Sequence, residues 1–156
     1  MTELRARATL ILKKNDRGGY SVPTDGLYPF QWNWDAGFAA MGYACFDEAR
    51  AWEELRSLLR GQWDDGMVPH IVFHAHDSRY FPGPEVWGVQ RTPRTSGITQ
   101  PPILAVAVRR IWQRATDRPL ADAAARELFP KLLAWHRWYH AARDPKATGL
   151  VSIYHP

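Results

Sequence analysis

At 156 residues the chain has the length of one domain with an ordinary core and is too short for a large multidomain enzyme. Its 46% hydrophobic and 23% charged residues are a globular balance, and twenty Lys and Arg against sixteen Asp and Glu leave +4, too small an excess for a nucleic-acid signature. Cys45 stands alone, which excludes an intramolecular disulfide. Neither the start of the chain nor its longest apolar run, at 103–108, reads as a signal peptide or a membrane span, so the expectation is a soluble cytoplasmic protein.

Leu4, Ala8, Ile11 and Leu12 recur at helical spacing and predict a first helix over 2–14. Residues 15–29 hold Asn15-Asp16 and Asp25-Gly26 and read as loop with room for a short strand pair. A second helix is expected from about Trp34 to Cys45, with Phe38, Met41 and Cys45 on one face. Its small residues, among them Ala36, Gly37, Ala40 and Gly42, let neighbouring helices come close. Asp47 fits the N-cap of a third helix with Trp52, Leu55, Leu58 and Leu59 in one stripe and Gly61 as its C′ glycine. The stretch 62–96, with Pro69, Pro82, Pro84 and Pro93, is irregular and long enough to be either functional or mobile, and its aromatics Phe73, Tyr80, Phe81 and Trp87 argue against simple disorder. Thr99 caps a fourth helix with Pro101 and Pro102 in its first turn, running to about Ala115 and buried from several sides. A fifth helical region, 119–143, is expected to kink or restart at Pro130, and 149–156 reads as an extended apolar segment.

Tyr28-Pro29-Phe30-Gln31-Trp32-Asn33-Trp34-Asp35 crowds aromatics, two amides and a carboxylate into the entry of a helix. Sugar rings want that mixture: C–H faces stack on indole, while hydroxyls bond to groups such as Asp35 and Gln31. The helix dipole should keep Asp35 ionised. A packing cluster with Asp35 as N-cap explains the same residues equally well. Asp64 and Asp65 are adjacent in a turn, where ordinary turn chemistry accounts for them better than an acid/base pair does. His70, His74 and His76, or His136 and His140, have a spacing compatible with zinc but lack accompanying ligands, so no metal is expected. Thr95 to Pro102 forms a polar strip at a helix start, where Gln100 and free N–H groups can meet an anionic or hydroxylated ligand. Arg91, Arg94, Arg109 and Arg110 are too scattered to define a nucleic-acid groove.

In order, Tyr-Pro-Phe-Gln-Trp-Asn-Trp-Asp at 28–35, Arg-Gly-Gln-Trp at 60–63, Gly-Met-Val-Pro-His at 66–70, Tyr-Phe-Pro-Gly-Pro at 80–84 and Ser-Gly-Ile-Thr-Gln-Pro-Pro at 96–102 resemble one family. It is that of the mannosylglycerate and glucosylglycerate hydrolases, relatives of processing α-glucosidase. The resemblance implies an all-α fold: the first five or so helices of an incomplete (α/α)6 barrel with long irregular pocket loops. It also implies inverting hydrolysis of an α-glycosidic bond in a small glycosylated compound, with no cofactor. Carried over by position, Tyr28, Trp32, Trp34, Asp35 and His70 would bind the sugar, with Tyr80 and Gln100 nearer the leaving group. In the family the general acid follows the segment matching Tyr154-His155-Pro156 and the base comes later, so this chain should lack both and be inactive alone. The expected partner is a small α-linked sugar, with no nucleic acid and no membrane, and oligomeric state open. The alternatives are a non-catalytic helical carbohydrate-binding or interaction module and a basic nucleic-acid-binding helical protein.

Overall fold

The structure is a computed structural model and describes residues 2–152. Of the extended run expected at 149–156, residues 153–156 lie outside the described residues, and 149–152 carry no regular element. The chain forms five helices, α1 (Glu3–Asn15), α2 (Asn33–Tyr43), α3 (Glu48–Leu59), α4 (Leu104–Arg114) and α5 (Arg118–Arg143). It also forms strands β1 (Gln31–Trp32), β2 (Ile71–Phe73) and β3 (Arg94–Thr95). The expectation of an all-α fold is therefore corrected to a predominantly helical one with a small sheet. Strands of two or three residues are too short to show an alternating pattern, which is why the sequence does not announce them. Among the described residues no helix is long and apolar enough to cross a membrane.

α2 lies at the centre and packs on α1, α3 and α4, while α5 covers α3 and α4. Its buried stripe is Asn33, Ala36, Gly37, Ala40 and Tyr43, and not the expected face of Phe38, Met41 and Cys45, for Phe38 is 56% exposed. Close approach explains the small residues. A Cβ on Gly37 would meet Ile103 Cδ1 at 2.6 Å, and one on Gly42 would meet Leu12 Cδ1 at 2.8 Å. α3 follows its expected pattern, with Asp47 accepting from the Arg50 N–H at 2.9 Å and Trp52, Leu55, Leu58 and Leu59 buried. Gly61 does not take the left-handed conformation of a C′ glycine. It is small because a Cβ there would meet Val72 Cγ2 of β2 at 2.6 Å.

The expectation for the start of α4 fails, and of the two alternatives at Pro130 the restart is excluded. α4 begins at Leu104 rather than at Thr99, whose hydroxyl donates to the Val68 carbonyl at 2.6 Å and holds 99–102 as non-helical chain. Only Leu104, Ala107 and Ile111 of α4 are buried, and Val106 is 52% exposed, so the helix is amphipathic rather than enclosed. α5 runs through Pro130 without restarting, because Leu128, Leu132, Trp135 and Trp138 keep one continuous buried face across it.

Candidate functional site

The sheet assembles the site. β2 is its middle strand, with Gln31 opposite Val72 and Trp32 opposite Ile71 on one side, and Val72 opposite Thr95 and Phe73 opposite Arg94 on the other, both pairings antiparallel. The pairing continues beyond the strand ends. The Asn33 N–H donates to the His70 carbonyl at 3.0 Å and the His70 N–H to the Ile98 carbonyl at 2.7 Å. The Trp34 N–H donates to Gln100 Oε1 at 3.3 Å. Segments 28–35, 68–73 and 94–100, separated in sequence by long stretches, are thereby laid side by side.

On one face of this sheet Phe30, Trp32, Ile71 and Phe73 are buried together, with Tyr80 and Trp87 packed against them. Tyr28 and Tyr80 each meet the Trp32 ring edge-on, at 5.2 and 5.3 Å between centroids, and Phe30 lies stacked at 6.2 Å. Burial, with a second phenol beside it, pushes the Tyr80 phenol up. Trp87 sits edge-on to His70 at 5.4 Å. The sequence points to Trp87 only as one of several loop aromatics, with nothing to pair it with His70. Such edge contacts contribute about 0.5–1.5 kcal/mol each beyond the area they bury, enough to fix ring orientation in a shallow wall.

Trp34 and Asp35 stand in the first turn of α2. Trp34 is 43% exposed and packs edgewise on Phe38, leaving indole surface open. Burial raises the Asp35 carboxyl above the usual carboxylate range, although its own backbone N–H and the Trp34 side chain pull the other way. Desolvation of this half-buried group thus outweighs the two hydrogen bonds that favour its ionised form.

The two amides of the segment have structural duties. Asn33, fully buried, donates to the carbonyls of Pro69 at 3.0 Å and Val68 at 3.4 Å. Gln31, also fully buried, donates to Glu54 Oε1 at 2.7 Å, so the expectation that it meets sugar hydroxyls is corrected.

A cavity of about 610 Å³ lies between 98–102, the last turns of α5 and residues 151–152. Of the expected site residues Gln100 lines it, beside His136, Tyr139 and His140. Tyr28, Trp32, Trp34, Asp35, His70 and Tyr80 lie outside it. The Tyr139 hydroxyl donates to the Gln100 backbone carbonyl, and the Gln100 side-chain oxygen accepts from the Trp34 N–H. Because α4 starts late, the polar strip at 95–100 is not the open helix N-terminus that the prolines suggest.

The histidines diverge. His70 faces Trp87, while His74 stacks on Tyr20 at 4.2 Å, and among the described residues no group of three His, Cys, Asp or Glu side chains converges on a metal position. Asp65 accepts from the Trp138 indole at 3.0 Å while Asp64 points to solvent, so this pair is turn and anchor.

A family model described as the mannosylglycerate hydrolase MGH1-like glycoside hydrolase domain matches residues 28–156. Mannosylglycerate hydrolase MGH1 of Selaginella moellendorffii is 60% identical over 147 residues, which cover 94% of this chain and 30% of that protein. The glucosylglycerate hydrolase of Mycolicibacterium hassiacum is 43% identical over 166 residues, covering 99% of this chain and 37% of its own length. A crystal structure of the GH63 mannosylglycerate hydrolase from Thermus thermophilus, in complex with Tris and D-glycerate, superposes with a TM-score of 0.93. Its identity is 55%, over 98% of this chain and 37% of that one. The chain thus spans about a third of the length of the relatives it matches.

Proposed function

Since the chain belongs to the mannosylglycerate hydrolase MGH1-like glycoside hydrolase family, we propose that it supplies the sugar-binding wall of an inverting α-glycosidase acting on mannosylglycerate, glucosylglycerate or a similar small glycoside. Its helices are then the first five of an (α/α)6 barrel. The observation that carries this reading is the meeting of three distant segments at β1 and the start of α2. There Tyr28 and Trp34 offer exposed aromatic surface with the buried Trp32 behind Tyr28, Asp35 offers a carboxylate and Gln100 reaches the Trp34 backbone.

In this assignment Tyr28, Trp32, Trp34, Asp35 and His70 hold the sugar, and Tyr80 and Gln100 serve the leaving-group side. An aromatic face takes the apolar C–H surface of the ring, and a carboxylate takes a pair of hydroxyls. The general acid and base belong to other parts of the enzyme. An inverting reaction needs them about 6.5–9.5 Å apart across the bond, with room for a water. Asp35 lies on the binding wall and holds hydroxyls rather than donating the proton.

A chimera tests this. Residues 1–156 replace the matching third of the Thermus hydrolase, and hydrolysis of mannosylglycerate and glucosylglycerate is followed by release of hexose. The chimera should turn over one or both, and Asp35→Ala should lower kcat/KM by about 10- to 100-fold, the worth of a charge-assisted hydrogen bond or two. The 156-residue chain by itself should release no hexose. An inactive but folded chimera, or an Asp35→Ala chimera with unchanged kcat/KM, overturns the assignment and leaves a non-catalytic module.

A further inference from the structure

The face of β1 turned away from the aromatic wall looks onto α3, and polar side chains meet there beside the apolar Val72. Gln31 and Glu54 both have no exposed surface. The Gln31 amide nitrogen donates to Glu54 Oε1 at 2.7 Å and to the Glu54 backbone carbonyl at 3.0 Å. Its oxygen lies 2.8 Å from His74 Nε2, which is also 3.4 Å from the Ser57 hydroxyl. Since Glu54 can take only the nitrogen end of the carboxamide, the oxygen end must face His74, and Nε2 must be the nitrogen that carries the imidazole proton. Burial, with the charge of Arg60 nearby, holds His74 down to about 4, so near neutral pH it meets Gln31 uncharged.

Glu54 is itself held. It accepts from the Ser21 N–H at 3.2 Å and from Arg50 at 2.8 Å, and Arg50 in turn forks onto Asp16 at 2.9 and 3.0 Å. Buried polar and ionic groups of this kind are often replaceable by apolar side chains of equal volume without loss of stability, which directs attention to what their geometry specifies. Here that is the neighbouring strand. β1 has two residues, and so few ladder hydrogen bonds leave its register weakly specified, whereas a one-residue slip would exchange the faces of Gln31 and Trp32.

We propose that His74 and Glu54 are positioning residues for the sugar wall: gripping opposite ends of the Gln31 carboxamide, they fix the rotation of β1 and hence the Trp32 indole and the start of α2. Neither touches the sugar. Their effect on substrate rests on the assignment of Trp32, Trp34 and Asp35 to sugar binding, whereas their effect on Trp32 does not.

The test compares His74→Gln, whose amide nitrogen reaches the place of Nε2, with His74→Asn, which is one bond too short. Both are polar, and both lose the Tyr20 stacking. In the 156-residue chain the Trp32 indole N–H resonance, assigned with Trp32→Phe, should keep its position in His74→Gln and move or broaden in His74→Asn. In the chimera His74→Asn should raise KM about tenfold, the cost of about one hydrogen bond, with kcat much less changed and His74→Gln close to wild type. A Trp32 resonance that is the same in both variants, or displaced equally by both, overturns the proposal. If His74→Asn does not fold, Glu54→Met, which fills the space but offers the Gln31 amide no side-chain acceptor, must move or broaden the resonance, and a resonance left in place overturns the proposal. An inactive chimera would sink the functional assignment, while the resonance comparison would still decide the positioning role.

Discussion

Gly66 has φ of 102° and its peptide closes the turn at 63–66, where the Gly66 N–H donates to the Trp63 carbonyl at 2.9 Å. A Cβ there would lie 2.7 Å from the Ala134 carbonyl oxygen, a backbone atom in the middle of α5 that cannot step aside. Gly66→Ala therefore combines a left-handed backbone with a hard clash. It should cost about 2 kcal/mol or more of stability, seen as a lower urea midpoint with little change in slope. Gln62 bridges the Gly66 and Lys131 carbonyls at 2.9 and 2.8 Å, so this turn is the clamp that seats 61–67 on α5. In the sequence Gly66 follows Asp65 and reads as ordinary turn chemistry. The clash that makes it indispensable involves a residue far along the chain.

At the level of elements, β2 ends at Phe73 and delivers His74 beneath the sheet, which ties stability to pH. The folded His74 titrates at about 4 against an ordinary 6.5. Between those values the unfolded chain takes up a proton that the native state refuses, so stability falls as pH drops from about 6.5 to about 4 and this group adds no further loss below. Asp35, held above its ordinary value, works in the opposite sense as pH passes through its folded pKa. Asp16 contributes elsewhere: burial pushes it up, the hydrogen bonds and charge of Arg50 outweigh burial, and its stabilisation is lost only as pH falls through its lowered pKa. A plot of Tm against pH should accordingly flatten between 4 and 6.5 in His74→Gln relative to wild type. α5 offers a second test. Pro130 is exposed and inside the helix, where its missing N–H leaves the Arg126 carbonyl without its usual donor. Pro130→Ala should raise stability by about 1–3 kcal/mol, measured by thermal unfolding, the gain being limited by the freedom it restores to the unfolded chain.

Across the whole molecule, the buried cluster runs from α2 and α3 through α4 to α5, yet large apolar side chains remain outside it. Phe38 is 56% exposed on α2, Val106 52% on α4, Phe129 64% on α5 and Leu4 79% on α1. Scattered single residues of this kind are ordinary, but Phe38 continues into the exposed Trp34 ring at 6.2 Å and forms an apolar surface with it. The 156-residue chain should accordingly associate as its concentration rises, with an increasing weight-average sedimentation coefficient. Phe38→Ser should reduce that trend without lowering Tm, because the side chain contributes little to the core.

Helices and candidate residues were legible along the chain before any fold was known. Helical periodicity is local, so α1, α3 and the extent of α5 followed from spacing, capping residues and apolar stripes, and the ordered motifs carried the family. Which of those residues lie side by side depends on packing in three dimensions. The sheet of β1, β2 and β3 is made of strands too short to leave a pattern, and its pairing brings His70 beside Ile98 and Trp34 beside Gln100, while the loop after β2 lays Tyr80 against Trp32. It also sorted the crowded segment 28–35 into two faces. Trp32 and Tyr28 joined the aromatic wall, while Gln31 and Asn33, as polar as any sugar ligand, turned inward to meet backbone carbonyls and a buried carboxylate. A side chain's hydrogen-bonding capacity is written in its own chemistry, but whether a ligand or the protein uses it depends on what the fold brings within about 3 Å.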